Sequence, residues 1–245
     1  MKKRFAAFLA AALMGTMILS GCGSSKEETK AAETTAETAT ETKVDETKAA
    51  EGTTGGVTEK VIMVVSFGTS YNDSREATIG AIETAIADAY PEYEVRRAFT
   101  SQMIIDKLKE RDGLEIDNVE EALDRAVADG VKTLVVQPTH LMDGYEYTDL
   151  ADALKAYEDK FEQVVLATPL LTSDEDFDAV AKAIAEETAS YDDGETAICF
   201  MGHGTEADSN GIYAKLQEKM TAAGYENYYI GTVEAEPTLE DLLTA

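Results

Sequence analysis

The sequence predicts an α/β protein of two similar lobes, each a parallel sheet flanked by helices, the second lobe incomplete. Three features lead there. Short apolar runs alternate with segments of helical spacing, as expected when helices cover both faces of a parallel sheet. Two of the runs end in glycine-containing turns, Ser66-Phe67-Gly68-Thr69-Ser70 and Met201-Gly202-His203-Gly204-Thr205, that lead into helices. These turns sit about 135 residues apart, and in each unit a second strand follows a helix, Tyr93 to Thr100 and Tyr228 to Val233.

The elements follow in order. Val61 to Val65 is the first strand. Asp73 to Ala89 spaces Ala77, Ile79, Ile82, Ala85, Ile86 and Ala89 along one helical face, with Asp73 or Ser74 as cap and Pro91 as stop. Tyr93 to Phe99 is a strand and Met103 to Leu108 a short helix. Val119 to Ala128 is a helix ended by Gly130, and Val131 to Val136 is a strand. Asp149 to Tyr157, Val164 to Ala167 and Phe177 to Thr188 continue as helix, strand and helix. The second unit runs from strand Ala197 to Phe200, through helix Asn210 to Ala223, to strand Tyr228 to Val233. The lobes are therefore expected at 61–195 and 196–245. After Pro237 the chain reads as the opening turns of a helix, and Leu239, Leu242 and Leu243 have little to pack against. The counterparts of strand Val131 to Val136 and of His140 are expected beyond Ala245, so the chain is expected to be truncated.

The first 60 residues read differently. Lys2, Lys3 and Arg4 precede the apolar stretch Phe5 to Leu19, and small residues then lead to Cys22. This is the pattern of a signal peptide, too short for a bilayer span. Leu19-Ser20-Gly21-Cys22 resembles the processing box of bacterial lipoproteins, which makes Cys22 the expected lipidation site and the location extracytoplasmic, membrane-anchored. Residues 23–60 are mostly Lys, Glu, Thr and Ala, with no leucine, isoleucine or aromatic residue. Such a segment buries too little surface to offset the entropy of ordering, so it reads as an acidic tether. Cys199, inside an apolar run, is expected to pack as a small hydrophobe.

The first 22 residues carry +3 and the tether −4, so the body holds −26 of the chain's −27. A body this acidic repels phosphate backbones, which excludes nucleic-acid partners, and it attracts cations. Homo-oligomerisation is left open.

The chemistry-bearing residues cluster after strands, where open parallel sheets place their ligands. The chain has two histidines. Glycine-flanked His203 suits an imidazole projecting from a tight turn, able to ligate a metal or accept a proton near neutral pH; the alternative is an ordinary loop histidine. His140 follows Gln137-Pro138-Thr139, and Gly144 permits a turn that brings Glu146 to the same cleft. A histidine with a carboxylate suits divalent cobalt, nickel, iron or zinc. Ser66-Phe67-Gly68-Thr69-Ser70 lacks the lysine of a phosphate loop, and no Gly-x-Ser-x-Gly elbow is present. Ser66 and Thr69 are therefore read as lining a ligand rim or capping the next helix. Arg96 and Arg97 point to opposite faces of their strand. One of them reaches an acidic ligand or forms a strand-edge salt link. Tyr145 and Tyr147 either wall the cleft or pack over its loop.

Several blocks taken in order resemble the anaerobic sirohydrochlorin cobaltochelatases. They are Val64-Val65-Ser66-Phe67-Gly68-Thr69-Ser70-Tyr71, the stretch Arg97-Ala98-Phe99-Thr100-Ser101-x-Met103-Ile104-Ile105-x-Lys107-Leu108, and Arg111-Asp112-Gly113. Gln137 to His140 with Gly144 and Glu146, Pro169 to Ser173, Phe200 to Gly204, and Gly231-Thr232-Val233-Glu234 complete the set. The resemblance implies the class II chelatase fold, two α/β lobes around a cleft. It implies insertion of divalent cobalt, the substrate metal, into sirohydrochlorin, a tetrapyrrole with eight carboxylates. No nucleotide is expected. It further implies that Glu146 and His203 contact the metal, that His203 is the base removing pyrrole protons, and that His140 assists from the opposite wall. Ser66, Thr69 and Arg97 are the expected substrate-binding residues. A second metal histidine of the family, in a Gly-Asp-His segment, has no counterpart here. Because the substrate is an anion, Arg75, Arg96, Arg97, Lys107 and Arg111 are expected to relieve repulsion. The rival reading is an extracytoplasmic lipoprotein that binds a tetrapyrrole or metal without turnover.

Overall fold

The computed structural model describes residues 58–244. The signal segment with Cys22, and the tether as far as residue 57, lie outside the described residues.

The first sheet has four parallel strands in the order β2-β1-β3-β4, with β1 Lys60–Ser66, β2 Glu94–Phe99, β3 Thr133–Pro138 and β4 Gln163–Leu166. The alternation of side chains along β1 sorts the core into two layers. Val61, Met63 and Val65 face α4 (Val119–Ala128) and α5 (Tyr145–Lys155), packing with Leu123, Ala126, Leu150 and Leu154. Ile62 and Val64 face the opposite layer, against Ile82 and Ile86. That second layer is one continuous helical run made of α1 (Asn72–Arg75), a π-helical turn (Glu76–Gly80) and α2 (Ala81–Ala89). It starts one residue earlier than the spacing predicts, and neither Asp73 nor Ser74 caps it: Tyr71 stands at the N-cap with no side-chain hydrogen bond.

Helix α3 (Gln102–Asp112) runs a turn past the predicted Leu108 and stops where Gly113 takes a left-handed φ of 70°. α5 begins at Tyr145, a full turn before the predicted Asp149. Glu146 and both tyrosines therefore belong to a helix start, not to a loop. Helix α4 has the predicted bounds and a capping box between Asn118 and Glu121.

The second sheet is the parallel pair β5 (Ile198–Gly202) and β6 (Tyr228–Thr232), joined by a 3-10 turn and α7 (Ile212–Ala222). After β6 comes α8 (Leu239–Thr244). Helix α6 (Asp174–Thr188) corrects the expected lobe boundary after residue 195. Its Phe177, Ala181 and Ala185 share a core with Tyr213, Leu216, Met220, Tyr228 and Ile230, so α6 covers the second sheet. Lys215 and Lys219 on α7 pair with Asp174 and Asp178 on α6 along the rim of this contact.

Candidate active site at the carboxyl ends of the two sheets

His203 is the first residue past β5, and the ladder to β6 continues beyond both strands. The Val233 N–H donates to Gly202 O and the Glu234 N–H donates to His203 O, each at 3.0 Å. This register sets Glu234 beside His203, with His203 Nδ1 3.8 Å from Glu234 Oε2. Both side chains project into solvent, 77% and 65% exposed, so the pair is accessible to a ligand. The same Nδ1 lies 3.1 Å from Gly204 O.

Each flanking glycine has a steric reason. A Cβ on Gly202 would lie 2.2 Å from the Tyr213 ring, and Gly204, at φ +86°, is pressed onto Ala235 and Thr232. Around them, Asn210 accepts from the Thr205 N–H and donates to Glu236 O, tying the His203 loop to the Glu234 loop.

The second cluster leaves β3. The Thr139 N–H donates to Val65 O, and its hydroxyl donates to Ser66 Oγ at 2.9 Å. His140 O accepts from the Leu170 N–H, which fixes the backbone. Both His140 ring nitrogens are buried and make no hydrogen bond. Burial holds the imidazole pKa below its usual value of 6.5, an effect that nearby Glu146 opposes. Burial thus favours the neutral ring, and both of its nitrogens are closed off from solvent. Glu146 lies exposed in the first turn of α5, where the helix dipole favours negative charge. Its Oε2 approaches Gly144, whose missing side chain also leaves room for Ser209 Oγ of the second unit, 3.6 Å from where a Cβ would stand. The His140–Glu146 loop and the segment after His203 therefore meet at Gly144.

The structure sets His203 beside Glu234, and His140 near Glu146. Glu234 was not singled out from the sequence as a site residue, although it closes the block Gly231-Thr232-Val233-Glu234. Among the described residues no three His, Cys, Asp or Glu side chains converge tightly enough to hold a metal ion on their own. The other predicted contact residues bond within the protein, the two strand arginines as the salt links given above as one alternative. Ser66 is 2% exposed and bonded to Thr139, so it clamps β1 to β3 and forms no rim. Thr69 accepts from the Tyr71 N–H. The Arg97 fork is held by Glu83 on α2, with Nε at 2.7 Å. Arg96 pairs with Glu94 and Asp129, and Arg111 with Asp112 and Asn72. Arg75 is buried and donates to Asn72. These arginines thus serve the protein's own acids and amides, whereas Lys107, the remaining expected cation, is exposed on α3. Tyr147 packs inward and donates to Ala167 O, while Tyr145 stays 63% exposed.

Residues 60–245 match the family model described as Cobalt chelatase (CbiK). A sirohydrochlorin cobaltochelatase of Salmonella typhimurium is 36% identical over 185 residues, 76% of this chain and 69% of the relative. Sirohydrochlorin cobaltochelatase CbiKC of Nitratidesulfovibrio vulgaris is 28% identical over 189 residues, 76% of this chain and 66% of that relative.

Proposed function

Because the chain belongs to the cobalt chelatase (CbiK) family, we propose that it inserts divalent cobalt into sirohydrochlorin, with the two histidine–carboxylate pairs as the working groups. The observation that carries this is the accessible His203–Glu234 pair, 3.8 Å apart and set by the ladder between β5 and β6. Metallation requires two pyrrole N–H protons to leave while the hydrated ion sheds water. In this reading His203 accepts one of those protons, and Glu234 stabilises the imidazolium or holds the arriving cation. His140, buried and held neutral, assists from the opposite wall, and Glu146 draws the ion to the cleft. The names of the relatives supply the substrate and the metal.

The test is turnover of the whole chain with sirohydrochlorin and cobalt, followed by the absorbance change on metallation. His203→Ala is expected to lower kcat by about 10²–10⁴-fold, the usual contribution of a positioned general base. Glu234→Gln should lose about tenfold or more through the paired charge. Tight tetrapyrrole binding with no rate above the spontaneous one would instead favour the rival reading, a carrier.

The proposal extends to location. Leu19-Ser20-Gly21-Cys22 after an apolar stretch supports cleavage before Cys22 and acylation there, which would hold the enzyme at an extracytoplasmic membrane surface. On detergent phase partitioning the wild type should enter the detergent phase, and Cys22→Ser the aqueous phase. A wild type that partitions as soluble removes the anchor.

A further inference from the structure

The segment after His203 turns back on itself. The Ala207 N–H donates to Thr205 Oγ1 at 3.2 Å, the Asn210 N–H donates to Ala207 O at 2.9 Å, and a 3-10 turn, Asp208–Gly211, leads into α7. This returns Asn210 to the start of the segment, where its Oδ1 accepts from the Thr205 N–H at 3.1 Å. Its Nδ2 donates to Glu236 O at 2.8 Å. The two contacts fix which way the amide faces, because a backbone N–H only donates and a carbonyl only accepts. Asparagine supplies both functions in one planar group, whereas an ionised aspartate supplies only the acceptor.

The N–H that Asn210 holds belongs to the Gly204–Thr205 peptide. The carbonyl of that same peptide, Gly204 O, lies 3.1 Å from His203 Nδ1. A trans peptide is planar, with its N–H and C=O on opposite sides, so fixing one fixes the other. The restraint has something to act against: Gly204, at φ +86°, has no side chain to hinder rotation of this peptide. With a carbonyl facing it, Nδ1 makes that hydrogen bond only as a donor. The neutral ring therefore carries its proton on Nδ1 and its lone pair on Nε2. Glu234 Oε2, 3.8 Å from the same Nδ1, favours the same placement.

We infer that Asn210 is a positioning residue for His203: by orienting the Gly204–Thr205 peptide it keeps the imidazole proton on Nδ1 and presents Nε2 to the substrate. What Nε2 meets there, a pyrrole N–H or the arriving cation, rests on the proposed function; the placement of the proton does not. The Nδ1 side is taken by Gly204 O and Glu234, which stabilise the imidazolium once Nε2 has accepted a proton. The role requires an acceptor at the Thr205 N–H, and the bond to Glu236 O holds that acceptor in place.

The test is imidazole nitrogen NMR of the whole chain at a pH where the ring is neutral, with His203→Gln identifying the His203 signals. In the wild type Nδ1 should carry the proton. Asn210→Ala should shift the ring toward the Nε2–H form, the one a free histidine side chain favours. It should also lower kcat by about tenfold, as a slightly misplaced reacting group does, with KM for sirohydrochlorin unchanged. Asn210→Asp, which retains the acceptor, should retain the Nδ1–H form and most of kcat. Asn227→Ala removes an amide tie from Nδ2 to Asp192 and Thr196 at the opposite end of the same strands, and should leave the tautomer as in the wild type. A wild-type ring with its proton on Nε2 overturns the inference before any Asn210 variant is made. So does an unchanged tautomer in a folded Asn210→Ala. An equal loss in the alanine and aspartate variants that follows their stability to urea overturns it too, since Asn210 then only braces the turn. If the wild type holds the Nδ1–H form yet never metallates sirohydrochlorin, the chelatase reading fails and the positioning role stands.

Discussion

At the scale of single residues, His140 has the clearest physical signature. Its ring is buried without a hydrogen bond, which disfavours the imidazolium, and Glu146 offsets part of that cost. A group whose folded pKa lies below its unfolded value releases protons on folding. Its contribution to stability is full above about 6.5 and declines as pH falls through the window below that value. In a proton titration by NMR, His140 should titrate below 6.5, and Glu146→Gln should move it lower still, because the charge that favours the imidazolium is gone. A Glu146→Gln variant in which His140 titrates as in the wild type would mean that the two groups are not electrostatically coupled. Proximity of this kind was partly legible in the sequence: His140, Gly144 and Glu146 lie within one turn, so local reasoning found them together. The partner of His203 was not. Glu234 lies far along the chain, and only the parallel register of β5 and β6 brings it alongside.

At the scale of elements, the positions of the strands were readable because each is a short apolar run, and helix α4 because its stopping glycine is local. The readings that missed depended on tertiary choices. Helix α5 starts at Tyr145 because Gly144 breaks the chain there, and a tyrosine-rich first turn has no apolar period to announce it. The apolar stripe of α6 says that the helix is covered, not which sheet covers it. The glycine before His203 shows how closely an element can be fitted to its site. The Tyr213 ring, 6% exposed, occupies the space a side chain on Gly202 would need. Gly202→Ala should cost about 1–3 kcal/mol, the range for overpacking a core, measured by urea unfolding. Tyr213→Leu in the same chain should recover part of that loss, although Tyr213→Leu alone is destabilising. Simple addition of the two costs would mean that the ring and the methyl group do not compete.

At the scale of the whole molecule, the field of the −26 body acts on two substrates of opposite sign. It concentrates a divalent cation at the surface and repels a carboxylate-bearing ring. Salt weakens both effects, because the screening length falls from about 30 Å at 0.01 M to about 8 Å at 0.15 M. Raising sodium perchlorate across that range should therefore raise KM for cobalt and lower KM for sirohydrochlorin. In the proposed reading the exposed carboxylates Glu146 and Glu234 receive the cation, so its response combines local and distant charge. If both KM values moved in the same direction, the net charge would not be felt at the cleft, and local pairs alone would set the affinities.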